Sequence, residues 1–155
     1  IRKEFLFTFR VQNYIFFFPC QKIMTYICPA ELKKARMNQT KTLVNAVVKG
    51  LQEKKGKRIV TVDMSQLSGA ICEYMVICEG NSPTQVSSLS DSVWDIVRTD
   101  AGEKPLSMEG NRNAQWIGMD YGTVLVHIFM PEQRSFYNLE NLWADSKIKA
   151  IPDLD

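Results

Sequence analysis

Histidine is nearly absent from this 155-residue chain: His127 stands alone. A zinc or di-metal site built mainly on imidazole is therefore excluded. Cysteine is scarce as well, with only Cys20, Cys28, Cys72 and Cys78. These four show neither zinc-finger spacing nor a C-x-x-C redox pair. Cys72 and Cys78 lie in apolar runs, where they read as small buried residues on one strand face, and free buried cysteine fits a reducing, cytoplasmic compartment. No run of about 18 apolar residues escapes interruption by charge, so no transmembrane helix is expected. Walker and Rossmann loops are missing, and Gly80-Asn81-Ser82 lacks the second glycine of a nucleophile elbow.

An excess of either charge sign is also lacking, since nineteen Lys/Arg face seventeen Asp/Glu. The small positive balance is local. Seven of the bases but only two of the acids fall in residues 1–36, leaving twelve bases and fifteen acids, a net of −3, in the rest. A mildly acidic body argues against a general grip on nucleic-acid phosphates. Residues 1–36 differ in texture too: the first twenty hold six Phe and a Tyr with no sustained period. The reading is that Met37 starts the native chain and that 1–36 is an upstream leader or a disordered extension. Residues 37–145 then form one domain, and 146–155 a loose tail.

What is present after Met37 is a regular alternation of elements. Leu43, Val44, Val47, Val48 and Leu51 recur at helical spacing over 40–54, with Thr40 or Asn38 as cap and Gly56 as stop. Arg58 to Asp63 is a β-branched strand, and Cys72 to Cys78 a nearly apolar one suited to a sheet centre. Ser82, Pro83 and Gln85 form a helix start with a capping box, and Val86, Leu89, Val93, Ile96 and Val97 mark the buried face of the helix after it. A short strand at 105–110 precedes a hairpin of 115–119 and 123–129, turned at Asp120-Tyr121-Gly122. Gln133 to Trp143 is helical, with Phe136, Leu139, Leu142 and Trp143 expected inward. The order implies a single α/β domain with a five-stranded mixed sheet and packed helices.

Residue by residue, catalytic chemistry finds little support. His127 alternates with Leu125 and Phe129 on a strand, as a hydrogen-bonded core histidine does. Ser82 is already explained as a cap. The helix start at Gly80 could hold an anion on its amides, which keeps a nucleotide- or phosphoester-handling enzyme as the alternative. A two-metal reaction, however, needs paired acids, and Asp91 and Asp95 fall on the solvent side of their helix. No metal and no cofactor are expected. What remains is a polar and aromatic set around the hairpin: Glu109, Trp116, Asp120, Tyr121, Arg134 and Tyr137. Trp, Tyr and Arg anchor interfaces. The competing reading places Trp116 and Tyr137 in the core and pairs Arg134 with an acid.

These residues stand in a familiar order. Gly80-Asn81-Ser82, Glu109-Gly110, Trp116-x-x-x-Asp120-Tyr121-Gly122, Val126-His127-Ile128-Phe129 and Glu132-x-Arg134-x-x-Tyr137-x-Leu139-Glu140-x-Leu142-Trp143 resemble the RsfS/Iojap family over roughly 40–145. Two departures occur: Cys72-Glu73-Tyr74 replaces the usual Ala-Asp-Tyr, and Pro83-Thr84-Gln85 stands where an Arg is usual. The resemblance implies a nucleotidyltransferase-like fold lacking the catalytic acids, and a non-enzymatic silencing factor. It implies binding to the large ribosomal subunit, chiefly to its fourteenth ribosomal protein, which blocks small-subunit joining and represses translation in starvation or stationary phase. Homodimers of the free protein are compatible with it; membrane or direct nucleic-acid binding is not expected. The contact residues are then Trp116, Asp120 and Tyr121, with Arg134 and Tyr137, while Ser82, Glu109, Gly110, Gly122 and His127 serve the fold.

Overall fold

The computed structural model describes residues 29–154. The chain divides into two units, Ile1–Lys34 and Ala35–Asp155. The first lies almost wholly outside the described residues, as do most of the expected leader, Cys20 and Cys28. The sheet belongs wholly to the second.

Helix α1 (Pro29–Glu53) begins well before the expected 40. Thr40 therefore caps nothing; it lies inside the helix, where its hydroxyl binds the Arg36 carbonyl and the Glu73 carboxylate, each at 3.1 Å. Strands β1 (Lys57–Asp63) and β2 (Tyr74–Glu79) come next, then helix α2 (Pro83–Asp100). Beyond it lie β3 (Ser107–Glu109), β4 (Trp116–Asp120) and β5 (Val124–Phe129). Two short helices, α3 (Pro131–Tyr137) and α4 (Leu139–Leu142), lead into β6 (Lys147–Ala150).

The strands form one mixed sheet ordered β3-β4-β5-β2-β1-β6. Only β2 and β5 run parallel, with α2 in the crossover between them; the other neighbours are antiparallel. The expectation of five strands is thus corrected to six, and the extra strand lies in the segment read as loose. Its residues Lys147-Ile148-Lys149-Ala150 are all exposed, so they carry no inward apolar period to read. Lysines on an outer strand suit an edge, where they discourage pairing with another chain. The end of the chain is further tied down by Ile151 N–H on the Ile59 carbonyl and Arg58 N–H on the Asp153 carboxylate.

Alternation along the strands gives the sheet two apolar faces. On one, Val76, Cys78, Ile117, Met119, Val124, Val126 and Ile128 meet Leu43, Val47 and Leu51 of α1 and Val86, Leu89, Val93 and Val97 of α2. Each fully buried Leu or Val there contributes about 2 kcal/mol. The helices approach to backbone contact at Gly50, where a Cβ would sit 2.8 Å from the Val93 Cα. The second face is covered less completely. Val62, Met64, Cys72, Met75, Ile77 and Phe129 are buried there against Leu67, Leu139 and Trp143.

Two corrections concern side-chain direction. Cys72 and Cys78 do not share a face: β2 begins only at Tyr74, and the two thiols are buried in opposite clusters. Of the four residues expected inward after Pro131, Leu139 and Trp143 pack on the second face, whereas Phe136 is 81% and Leu142 71% exposed. Asn138, left-handed at φ 42°, breaks the segment into two helices, so no single helical phase runs through it.

Candidate partner-binding face

Residues opposite one another in antiparallel strands point to the same side. Trp116 pairs with Phe129, Gly118 with His127 and Asp120 with Leu125, while Ser107 and Glu109 lie opposite Asp120 and Gly118. All of these project from the face away from α1 and α2. Toward β3 that side is open: Ser107 and Glu109 are exposed, and Gly118 and Asp120 partly so.

At one end of this side the aromatic rings form a continuous array. The Trp116 indole stacks on Phe129 with centroids 5.0 Å apart and lies 4.7 Å from the Tyr137 ring. Phe136 meets Tyr137 edge-on at 5.1 Å. Exposure rises steadily along the array, from buried Phe129 through partly covered Trp116 to Tyr137 and Phe136. Such offset and edge-on pairs are worth about 1 kcal/mol each beyond their buried area, so the exposed rings are held by neighbours and not left to wave in water.

Trp116 Nε1–H donates to His127 Nδ1 at 3.2 Å. An Nδ1 that accepts leaves the imidazole proton on Nε2. Burial pushes the His127 pKa down from 6.5 to about 4, so the ring is neutral at physiological pH. It is a hydrogen-bonded histidine of the sheet, in agreement with its alternation in the sequence.

The other expected contact residues divide. Asp120 accepts from Gly122 N–H at 2.6 Å, closing the hairpin turn, and stays partly exposed. Tyr121, one residue further along, points the other way. It is buried in the helix-covered core, its hydroxyl has no partner, and burial raises its pKa. Arg134 is also buried. Its guanidinium reaches Glu140 at 2.6 Å and lies 3.6 Å from Glu79, so the reading that pairs it with an acid is the one observed. A contact role for either Tyr121 or Arg134 does not fit these positions. The sequence reading missed Phe136, since an aromatic in a helical run counts as core by default, and Glu79, a single acid closing an apolar strand.

The structural residues are placed as their types demand. Gly110 adopts φ 95°, and a Cβ there would fall 1.9 Å from the Trp116 carbonyl oxygen. Gly122 sits at φ 82° in the hairpin turn, and Glu109 is exposed on β3. At the start of α2, Ser82 Oγ accepts from Gln85 N–H at 3.1 Å while Gln85 Oε1 takes Asn81 N–H at 2.9 Å. Two of the amides that could cradle a phosphate are thereby engaged by the chain's own side chains. Asp91 and Asp95 are exposed on α2. Among the described residues, no three His, Cys, Asp or Glu side chains group as metal ligands, and no helix is long and apolar enough to cross a membrane.

From Ala35 onward the described residues form one α/β domain with a mixed sheet, and its open face carries exposed aromatic and acidic side chains. Residues 37–155 match the family model described as ribosomal silencing factor during starvation, and the chain belongs to that family. It is 35% identical over 119 residues to the ribosomal silencing factor RsfS of Bacillus subtilis, covering 77% of this chain and 96% of the relative. A solved structure from Chromobacterium violaceum superposes with a TM-score of 0.60 at 30% identity, covering 70% of this chain and 85% of that one. A mouse protein named for mitochondrial assembly of the ribosomal large subunit is 37% identical over 73 residues, which are 46% of this chain and 32% of that protein. The function that goes with the family is regulation of translation at the ribosome.

Proposed function

We propose that this chain silences translation by docking its aromatic face on the large ribosomal subunit, against the fourteenth large-subunit ribosomal protein, where it bars the small subunit. The observation that carries this reading is the graded array Phe129–Trp116–Tyr137–Phe136, rigid at its root and open at its tip. Rigid aromatics lose little entropy on binding and supply large buried area, which is why they recur as interface anchors. Partly exposed Asp120 and exposed Glu109 flank the open side, and the acidic body from residue 37 onward suits encounter with a basic partner. The mouse relative's name, which refers to the large subunit, points the same way. The contact set is therefore Trp116, Asp120, Tyr137 and Phe136.

The mechanism is occupancy and requires no reaction: about 1,600 Å² of buried surface with a few good anchors suffices for useful affinity. The fold is read as a nucleotidyltransferase-like scaffold turned to binding, acting in the cytoplasm. Co-sedimentation with isolated large subunits, followed by a subunit-joining assay on sucrose gradients, tests it. Wild type should co-sediment and reduce joining; Phe136→Ala and Trp116→Ala should bind at least about tenfold more weakly. Phe136 is too exposed for its loss to unfold the domain. Undiminished binding by both folded variants, or unaffected joining with wild type, would overturn the reading.

A further inference from the structure

Beside the aromatic array lies a charged cluster, buried at Arg134 and Glu79 and reaching the surface at Arg58, that the proposed contact set does not include. Arg134 on α3 is 4% and Glu79 at the end of β2 is 7% exposed. Arg134 Nε and Nη2 lie 3.0 and 2.6 Å from Glu140 Oε1 on α4. Its Nη1 donates to the Arg58 carbonyl of β1 at 2.7 Å and lies 3.6 Å from Glu79 Oε2. Glu79 also accepts from Arg58 Nη1 at 3.1 Å. Two cations and two anions thus join β1, β2, α3 and α4. Every nitrogen of the Arg134 guanidinium is engaged within the chain, which leaves little of it for a partner.

Two backbone irregularities make this cluster possible. The β1–β2 register slips between Lys57 and Val60, with Arg58 left-handed at φ 49°. Such a bulge removes a carbonyl from regular ladder pairing, and the Arg58 carbonyl is the one Arg134 binds. Asn138, at φ 42° and ψ 54°, ends α3, donates its N–H to the Arg134 carbonyl at 2.9 Å and turns the chain so that Glu140 returns to Arg134. Asparagine adopts this conformation readily at a helix end, but arginine holds it only where its surroundings over-determine it.

The aromatic tip grows from the same short helix. Phe136 and Tyr137 stand two and three residues past Arg134 in a seven-residue helix that has no side-chain cap. A helix so short has almost no stability of its own; something else must set its place beside Trp116. We infer that Arg134 is a positioning residue of the docking face: through Glu140, Glu79 and the Arg58 carbonyl it holds α3 where Tyr137 and Phe136 stand beside Trp116, without meeting the partner itself. This inference rests on the docking reading above.

The test begins without the ribosome, on the full chain. In Glu140→Gln, the Trp116 indole N–H resonance, set by the His127 bond and the Tyr137 ring, should move. Amide exchange across 134–138 should quicken while exchange in β2 and β5 stays unchanged. Affinity for isolated large subunits should fall about tenfold, which is 1.4 kcal/mol. Arg134→Lys should reproduce these effects, since one ammonium cannot replace a fork that spans Glu140 and the Arg58 carbonyl. Phe136→Ala, costly in wild type, should cost little more in the Glu140→Gln background. An unmoved Trp116 resonance, or an equal Phe136→Ala penalty in both backgrounds, overturns the inference. If the resonance moves but wild type does not bind large subunits, the docking reading fails while Arg134's hold on α3 stands.

Discussion

The sole histidine gives this protein a pH signature that one substitution can erase. His127 is neutral in the folded state because burial lowers its pKa from 6.5 to about 4, with Trp116 donating to Nδ1. The unfolded chain takes up a proton near pH 6.5, whereas the folded chain resists it until about pH 4. Folding stability is therefore complete above 6.5, falls as the pH drops from 6.5 toward 4, and levels off below. At one pKa unit per 1.4 kcal/mol, the full loss is roughly 3 kcal/mol, of which about 2 kcal/mol is gone by pH 5. His127→Gln keeps an acceptor for the Trp116 indole but has no proton to gain. Urea unfolding of both proteins, followed by tryptophan fluorescence at pH 8, 6 and 5, measures the difference. The wild-type free energy should fall with the pH while the variant's stays nearly level. Asp63 does not confuse the window. Burial opposes its ionisation, but hydrogen bonds from Ser65 and Tyr74 outweigh this and hold it below 3.8, so what it contributes is lost only in stronger acid. Parallel curves for the two proteins between pH 8 and 5, or wild type gaining stability on acidification, would refute the reasoning.

Gly110→Ala should destabilise the domain by about 3 kcal/mol, since it combines a left-handed φ with a Cβ in the Trp116 carbonyl, and a thermal melt would show it. Ser82→Ala removes the cap of α2 and should cost about 1 kcal/mol, a drop of several degrees in Tm. Burial pushes the Cys72 thiol up to about 11 and Cys78 to about 12. At pH 8 neither forms the reactive thiolate, so peptide mapping after a thiol reagent should find both unlabelled in the native protein and both labelled in urea.

Local signals were legible wherever one element alone determined them. The capping box at Ser82 and Gln85, the apolar face of α2, the hairpin turn at Gly122 and the central strands β2 and β5 all stand as their residues suggest. Period 2 in a strand and period 3.6 in a helix report which side meets the core, and a glycine in a turn reports a positive φ. The exposed edge strand β6 was illegible for the same reason: burying nothing, it leaves no period.

The sequence by itself determined the family, the α/β class, the interior of the sheet and the residue types available for an interface. Only the tertiary structure decided which of those residues face outward. Tyr121 and Arg134 looked like contacts and are buried; Phe136 looked like core and is the most exposed ring of the array. The burial of Arg134 and the exposure of Phe136 go with a break at Asn138 and a bulge at Arg58, which the surrounding charged cluster bridges. No local preference announces the bulge at Arg58, because the groups that make it favourable lie far away in the chain and meet only once the sheet has formed, whereas asparagine at 138 is a residue type that readily ends a helix in the left-handed conformation.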